Sequence, residues 1–204
     1  MTTSGAIENR PVVVDTGPLL CFGHIAGGVT MLARRYCPRL RWTTAVAKEV
    51  AECARRSDAI ARAANNWLGR NKSKLGEAVV VSDRREVHRM HAEVQAQSVR
   101  LRPNRVPQPG KDWGEAESLV LAVQTGGWLL SNDRAARSTA RLKRIDVYNA
   151  VDVLIAEVRE NRLELRKAKA MYDQLRSADI DGGVILPDRF TADVAQKWKS
   201  PAPV

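Results

Sequence analysis

The chain has 204 residues, 44% apolar and 27% charged, proportions ordinary for a globular protein and sufficient for one domain with a substantial core. Lys and Arg outnumber Asp and Glu by 33 to 23, for a net charge of +10 and a pI near 10.0, a surplus that suits a polyanionic partner such as nucleic acid. The odd set Cys21, Cys37 and Cys53, without CxxC spacing, argues against a disulfide framework and a zinc site, and the sparse histidines argue against a His-rich one.

In chain order, residues 1–10 are polar and are expected to fray. They show neither a basic stretch nor an apolar core of a signal peptide. No apolar run approaches the ~18 residues of a membrane span. The expected location is therefore cytoplasmic, with no membrane association.

Val12-Val13-Val14 then predicts a short buried strand over 11–15, ended by Asp15-Thr16-Gly17-Pro18. Leu19 to Phe22 reads as a short helical turn, and 29–36 as a helix after Gly27-Gly28. Leu40 to Thr43 predicts a strand. Thr43 or Thr44 caps a helix from Ala45 with Val46, Val50 and Cys53 on its apolar stripe and Glu49 one turn in.

A further amphipathic helix spans 57–72, with Ile60, Ala64, Trp67 and Leu68 on one side and Asn71-Lys72-Ser73 at its end. Ala78 to Val81 reads as a strand and 84–98 as a polar helix. Its His88 and His91 lack an acid at ligand spacing and read as a surface face. Residues 100–111 are Pro-rich and predict a loop made basic by Arg100, Arg102, Arg105 and Lys111.

A buried helix is expected from near Glu115, ended by Gly126-Gly127. Trp128 to Ser131 predicts a strand followed at once by Asn132-Asp133, as Asp15 follows the first strand. A helix with basic and small residues begins at Arg134. Ile145 to Tyr148 predicts a last strand, and Asp152 caps a helix to about Glu160. Residues 164–176 form another helix, and the tail with Gly182-Gly183, Pro187, Pro201 and Pro203 is expected to end loosely. Strands alternating with helices indicate an α/β fold with a mainly parallel sheet.

In such folds ligands bind at the carboxyl ends of strands. Asp15 can cap the next helix there or serve as a ligand. Three other acids stand at comparable places: Asp133 after a strand, and Glu49 and Glu115 near helix starts. Carboxylates without thiolate or many imidazole partners suit a hard cation, Mg²⁺ or Mn²⁺. On a basic protein the matching chemistry is metal-assisted hydrolysis of a phosphodiester.

The segment Val12 to Leu20 resembles the opening of PIN domains, the ribonuclease fold that includes VapC-type toxins. Thr43 to Val50 is similar to the segment carrying their second acid. Gly114-Glu115-Ala116-Glu117 with Ser118 to Ala122 resembles the Gly-Glu-x-Glu helix of one bacterial and archaeal subgroup. Leu129 to Asp133 resembles the strand that delivers the fourth acid. The resemblance covers roughly 11–155.

It implies a PIN-like α/β/α sandwich, a divalent metal (Mg²⁺ or Mn²⁺), endoribonuclease activity on RNA, an antitoxin protein partner and a homodimer. It also places Asp15, Glu49, Glu115 and Asp133 together as catalytic and metal-holding residues. Glu115 is preferred to Glu117 because its interval to Asp133 fits the family. Residues two apart on a helix point about 200° apart, so Glu117 is expected to support the site or face solvent.

The expected layout is a flexible N-terminus over 1–10, a nuclease domain over 11–160, and a C-terminal helix with a loose tail over 161–204. The long basic stretch 55–111 and the tail depart from compact toxins. Two further readings remain: a nucleic-acid-binding module with a degenerate site, and a flap-type DNA nuclease.

Overall fold

The computed structural model describes residues 9–55, 59–70, 77–104, 106, 110–177 and 190–199. Three β-branched residues form the central strand, β1 (Val12–Val14). It is followed by helices α1 (Thr16–His24) and α2 (Gly28–Tyr36), strand β2 (Leu40–Arg41), and helices α3 (Thr44–Arg55), α4 (Ala59–Arg70), α5 (Arg84–Leu101) and α6 (Trp113–Thr125). Strand β3 (Trp128–Leu130), helix α7 (Arg134–Leu142), strand β4 (Val147–Tyr148) and helices α8 (Ala150–Arg159), α9 (Leu165–Ser177) and α10 (Ala192–Lys197) complete the described order.

The sheet has four strands in the order β2-β1-β3-β4, all parallel, with Val14 opposite Leu130 and Leu130 opposite Tyr148. Parallel neighbours require crossover helices, and helices cover both faces. The strand period of two assigns alternate residues to opposite faces. Val12, Val14, Trp128 and Leu130 pack into one core with residues of α1–α4 and α8–α10. Val13 and Leu129 pack into a second with α5, α6 and α7. This mixed α/β arrangement is compatible with an α/β/α sandwich. Fully burying each Val or Leu contributes roughly 1.5–3 kcal/mol, so both faces hold the sheet in place.

Several elements differ from the sequence expectation. Leu19 to Phe22 belong to a nine-residue helix, α1, rather than an isolated turn. Pro18 sits in the first turn of that helix, where a missing N–H sacrifices no intrahelical bond. Among the described residues, Ala78 to Val81 contribute one bridge, Thr43 to Val79, where Val79 makes both backbone bonds, to Trp42 and Thr44. Arg100 and Leu101 continue α5 instead of starting a loop. Arg105 and residues 107–109 lie outside the described residues.

Asn149, not Asp152, caps α8. Asp152 is its capping-box partner and takes the Asn149 N–H at 2.7 Å. On α4, Ala64 and Leu68 are buried as expected, while the side chains of Ile60 and Trp67 lie outside the described residues. So do residues 1–8, the helix end at 71–73, the glycines at 182–183 and the prolines at 187, 201 and 203.

Within the tail expected to be loose, Phe190 and Ala195 are buried. Arg159 donates to the carbonyls of Ala195, Gln196 and Trp198 at 2.5–2.7 Å, fastening α10 to α8. Among the described residues, no helix is long and apolar enough to cross a membrane.

Candidate functional site

The chain runs from β1 outward to β2, then returns to place β3 on β1's other side. The carboxyl ends of β1 and β3 therefore flank a topological switch point, where open parallel sheets form a crevice. Asp15 leaves β1 there, and Asp133 follows shortly after the end of β3. The Asp15 N–H still pairs with the Leu130 carbonyl at 2.9 Å, so sheet register fixes its position. Asp15 is 2% exposed, an unusual burial for a carboxylate without a cationic partner.

Hydroxyls and backbone amides hold these acids. Asp15 Oδ1 accepts from the Thr16 N–H and Oδ2 from the Ser131 hydroxyl, both at 2.7 Å. The same Ser131 oxygen accepts the Asp133 N–H at 3.2 Å, bridging the two strand ends. Asp133 caps α7 by accepting the Ala136 N–H at 2.8 Å. The two readings of these aspartates are compatible: each caps a helix and each follows the carboxyl end of a strand at the switch point. Helix N-termini also stabilise carboxylates there.

Glu49 enters from α3. Its Oε2 accepts from the Thr16 hydroxyl at 2.5 Å and its Oε1 from the Gly114 N–H at 3.0 Å. Glycine leaves room for that contact: a Cβ at position 114 would lie 2.6 Å from Glu49 Oε2 and displace the carboxylate. The next residue, Glu115, points one carboxyl oxygen into the interior: Oε2 is buried and has no hydrogen-bond partner. An orphaned buried carboxyl oxygen is rare, and an ion or water is among its ordinary explanations.

The electrostatics follow from burial and mutual repulsion. Burial first, then Glu49 and Asp133, push Asp15 up to about 7, against the opposing hydrogen bonds of Ser131 and Thr16. Burial and the charges of Asp15 and Glu49 hold Glu115 well above the ordinary carboxylate range. Burial raises Glu49 as well, with Asp112 and Glu52 adding to it while Thr16 and Gly114 oppose. Asp15 and Glu115 thus each feel the charge of other acids in the set.

Asp112 was not singled out from sequence. It precedes α6 with a left-handed backbone (φ 66°), a conformation Asp tolerates better than most residues. Its charge acts on both Glu49 and Glu115. The only sequence signal was its position beside Gly114-Glu115.

Glu117 is directed elsewhere. It is buried rather than solvent-facing, accepts from Arg84 at 2.8 Å and takes the Ala45 N–H at 3.2 Å near the start of α3. Asn132 is structural: its amide donates to Cys21 Sγ at 3.0 Å, and its oxygen accepts the Ala150 N–H at 3.0 Å. Asp146 pairs with Arg10 at 2.7 Å. His91 stacks on Trp113 and His88 meets that ring edge-on.

Among the described residues, no group of three or more His, Cys, Asp or Glu side chains is drawn together closely enough to hold a metal. Repelling carboxylates settle onto local donors, here Thr16, Gly114, Ser131 and the α7 N-terminus. The chemistry of the donor set nevertheless suits a hard cation: the four acids offer only oxygens, and Glu115 Oε2 is buried without a partner. A shallow depression beside Asp133 is lined by Arg102 and Arg134, cations suited to a phosphate. Comparisons with protein-family models, curated proteins and solved structures find no match for this chain.

Proposed function

We propose that this chain is a divalent-metal-dependent endoribonuclease of PIN-like design, the toxin of a toxin–antitoxin pair. The observation that carries the reading is the convergence at the switch point of a parallel sheet: Glu49 bonds Thr16 beside Asp15 and Gly114 beside Glu115, and Ser131 ties Asp15 to Asp133. Buried like charges are costly, and such arrangements cluster at functional sites. A net charge of +10 on the same molecule favours a polyanionic substrate.

In this mechanism Asp15, Glu49, Glu115 and Asp133 would hold Mg²⁺ or Mn²⁺, which when bound would supply water activation and charge stabilisation at the phosphate. Ser131 and Thr16 orient Asp15 and Glu49 through the hydroxyl contacts they already make. Arg102 and Arg134 attract the strand's phosphates beside Asp133. The antitoxin and a homodimer belong to the same proposal, and a small acidic or DNA-binding protein encoded beside this chain would support the toxin assignment.

The test is cleavage of a labelled single-stranded RNA in saturating Mg²⁺. Asp15→Asn and Asp133→Asn should each lower the rate on the order of a hundredfold or more, with circular dichroism unchanged. Wild-type rates in either variant would dismiss the site. The absence of a ready three-acid metal cluster among the described residues favours a second reading, a nucleic-acid-binding module with a degenerate site. That module would show no Mn²⁺ affinity dependent on Asp15. Faster cleavage of a matched DNA strand than of RNA would instead indicate the DNA nuclease.

A further inference from the structure

A cavity of about 680 Å³ opens between α7, β4 and α10, and none of the four acids lines it. Its cationic side is made by Arg137, Arg141, Lys197 and Lys199, and Tyr148 and Trp198 supply aromatic surface. The volume lies within the range of small-molecule sites.

Its acids are already engaged. Asp193 pairs with Lys197 at 2.9 Å and Asp146 with Arg10 at 2.7 Å. Asp152 accepts from the Asn149 N–H and the Trp198 indole N–H. Arg137 and Arg141, by contrast, make no hydrogen bond or salt bridge among the described residues. Arg137 Nε is buried without a partner, and burial together with Arg141 holds its guanidinium below the ordinary arginine range. A half-buried guanidinium with an enclosed, unpartnered Nε is a natural seat for an anion that completes it.

Position on the fold narrows the ligand. Arg134, Arg137 and Arg141 are spaced three and four residues apart, hence on one face of α7. That helix begins at Asp133. Arg137 and Arg141 stand roughly 6 and 12 Å along the axis from it, within a short run of nucleotides. Guanidinium groups match phosphate oxygens in a bidentate fork, and a flat indole is a stacking surface for a base.

We infer that this cavity is a nucleotide-binding subsite, in which Arg137 and Arg141 grip a phosphate of single-stranded RNA and Trp198 stacks against its base. The choice of ligand rests on the ribonuclease reading. The cavity itself is separate from the acidic crevice, so the two fail separately.

The test uses the full chain in EDTA, with 5′-AMP, adenosine and inorganic phosphate titrated calorimetrically. AMP should bind wild type and Asp15→Asn alike. Arg137→Met with Arg141→Met should weaken AMP by about tenfold or more, as expected for lost charge-assisted bonds. Trp198→Leu should weaken AMP but leave phosphate unchanged. If the double variant does not fold, the exposed Arg141→Gln alone carries the comparison.

AMP binding within about twofold of wild type in the arginine variants, adenosine binding as well as AMP, or phosphate binding as well as AMP would each overturn the subsite. Cleavage that survives in Asp15→Asn would dismiss the nuclease site, and AMP binding would then decide the cavity by itself.

Discussion

Arg35 and Glu157 have fully buried side chains, and Asp15 is as deeply enclosed, yet the two regions handle charge in opposite ways. Between α2 and α8, the buried Glu157 is surrounded by cations. Arg35 bonds Glu157 at 2.8 Å and Glu160 at 2.8 Å, Arg162 reaches Glu157 at 3.0 Å, and Arg34 adds a further bond to Glu157. Burial pushes Glu157 upward, but the bonds from Arg35 and Arg34 and the charge of Arg162 outweigh it and leave the carboxyl below its usual range.

At the sheet's edge, Asp15 and Glu115 feel the charge of neighbouring acids, and their protons are held more tightly than normal. One cluster uses its charge to hold two helices together. The other gathers acids without cationic partners, which stability alone would not select.

Breaking the paired cluster should have the largest effect. Glu157→Ala removes the carboxylate shared by Arg34, Arg35 and Arg162, leaving the buried Arg35 with Glu160 alone, and is expected to remove about 3 kcal/mol of stability, measured by urea denaturation. A loss below about 1 kcal/mol would mean that the network contributes no more than a surface pair.

The acidic cluster should respond with the opposite sign. The folded-state pKa of Asp15 is raised from 3.8 to about 7. Its favourable contribution is therefore full below 3.8 and lost as pH rises through 7. Asp15→Asn should stabilise the metal-free protein at pH 8 by several kcal/mol, about 1.4 for each pH unit between those two values, and by little at pH 3.5. The amide can keep both contacts, accepting from Thr16 and donating to Ser131. Melting curves across pH in EDTA decide this: a variant less stable than wild type at pH 8 would show that the carboxylate is not repelled. Added Mn²⁺ should raise the wild-type melting temperature and leave the variant's unchanged.

The smallest effect sharpens the contrast between geometry and stability. Gly114→Ala adds a methyl against the Glu49 carboxylate within a helix that would otherwise gain up to about 1 kcal/mol from alanine. RNA cleavage should fall by about tenfold while the melting temperature holds or rises slightly. Unchanged cleavage would remove Glu49 from the site.

The acidic region was the more legible of the two from sequence. Val12 to Asp15 and Leu129 to Asp133 each combine a buried strand and its acid within a few residues, so local pattern delivers the positions. Glu49 and Glu115 required the added inference that helix starts converge on the same edge. The paired cluster was invisible because Arg35 and Glu157 are 122 residues apart and lie on helices with no local signal of pairing. Helix α1 was concealed by Thr-Gly-Pro, which reads as a turn even though Asp15 was legible as a cap for the helix that follows. Helix α10 was missed because its anchorage comes from Arg159 on another element.

Val14 and Leu130 stand opposite each other on adjacent parallel strands, whose separation is fixed by the hydrogen-bond ladder at about 4.8 Å. Asp15 and Asp133 inherit their mutual spacing from that ladder, with the Ser131 hydroxyl as a cross-tie. Glu49 and Glu115 ride on α3 and α6, outside that ladder. Under the proposed function, tuning of this hollow toward a larger ion or a different strand therefore falls to α3 and α6, while the two aspartates serve as its fixed ruler.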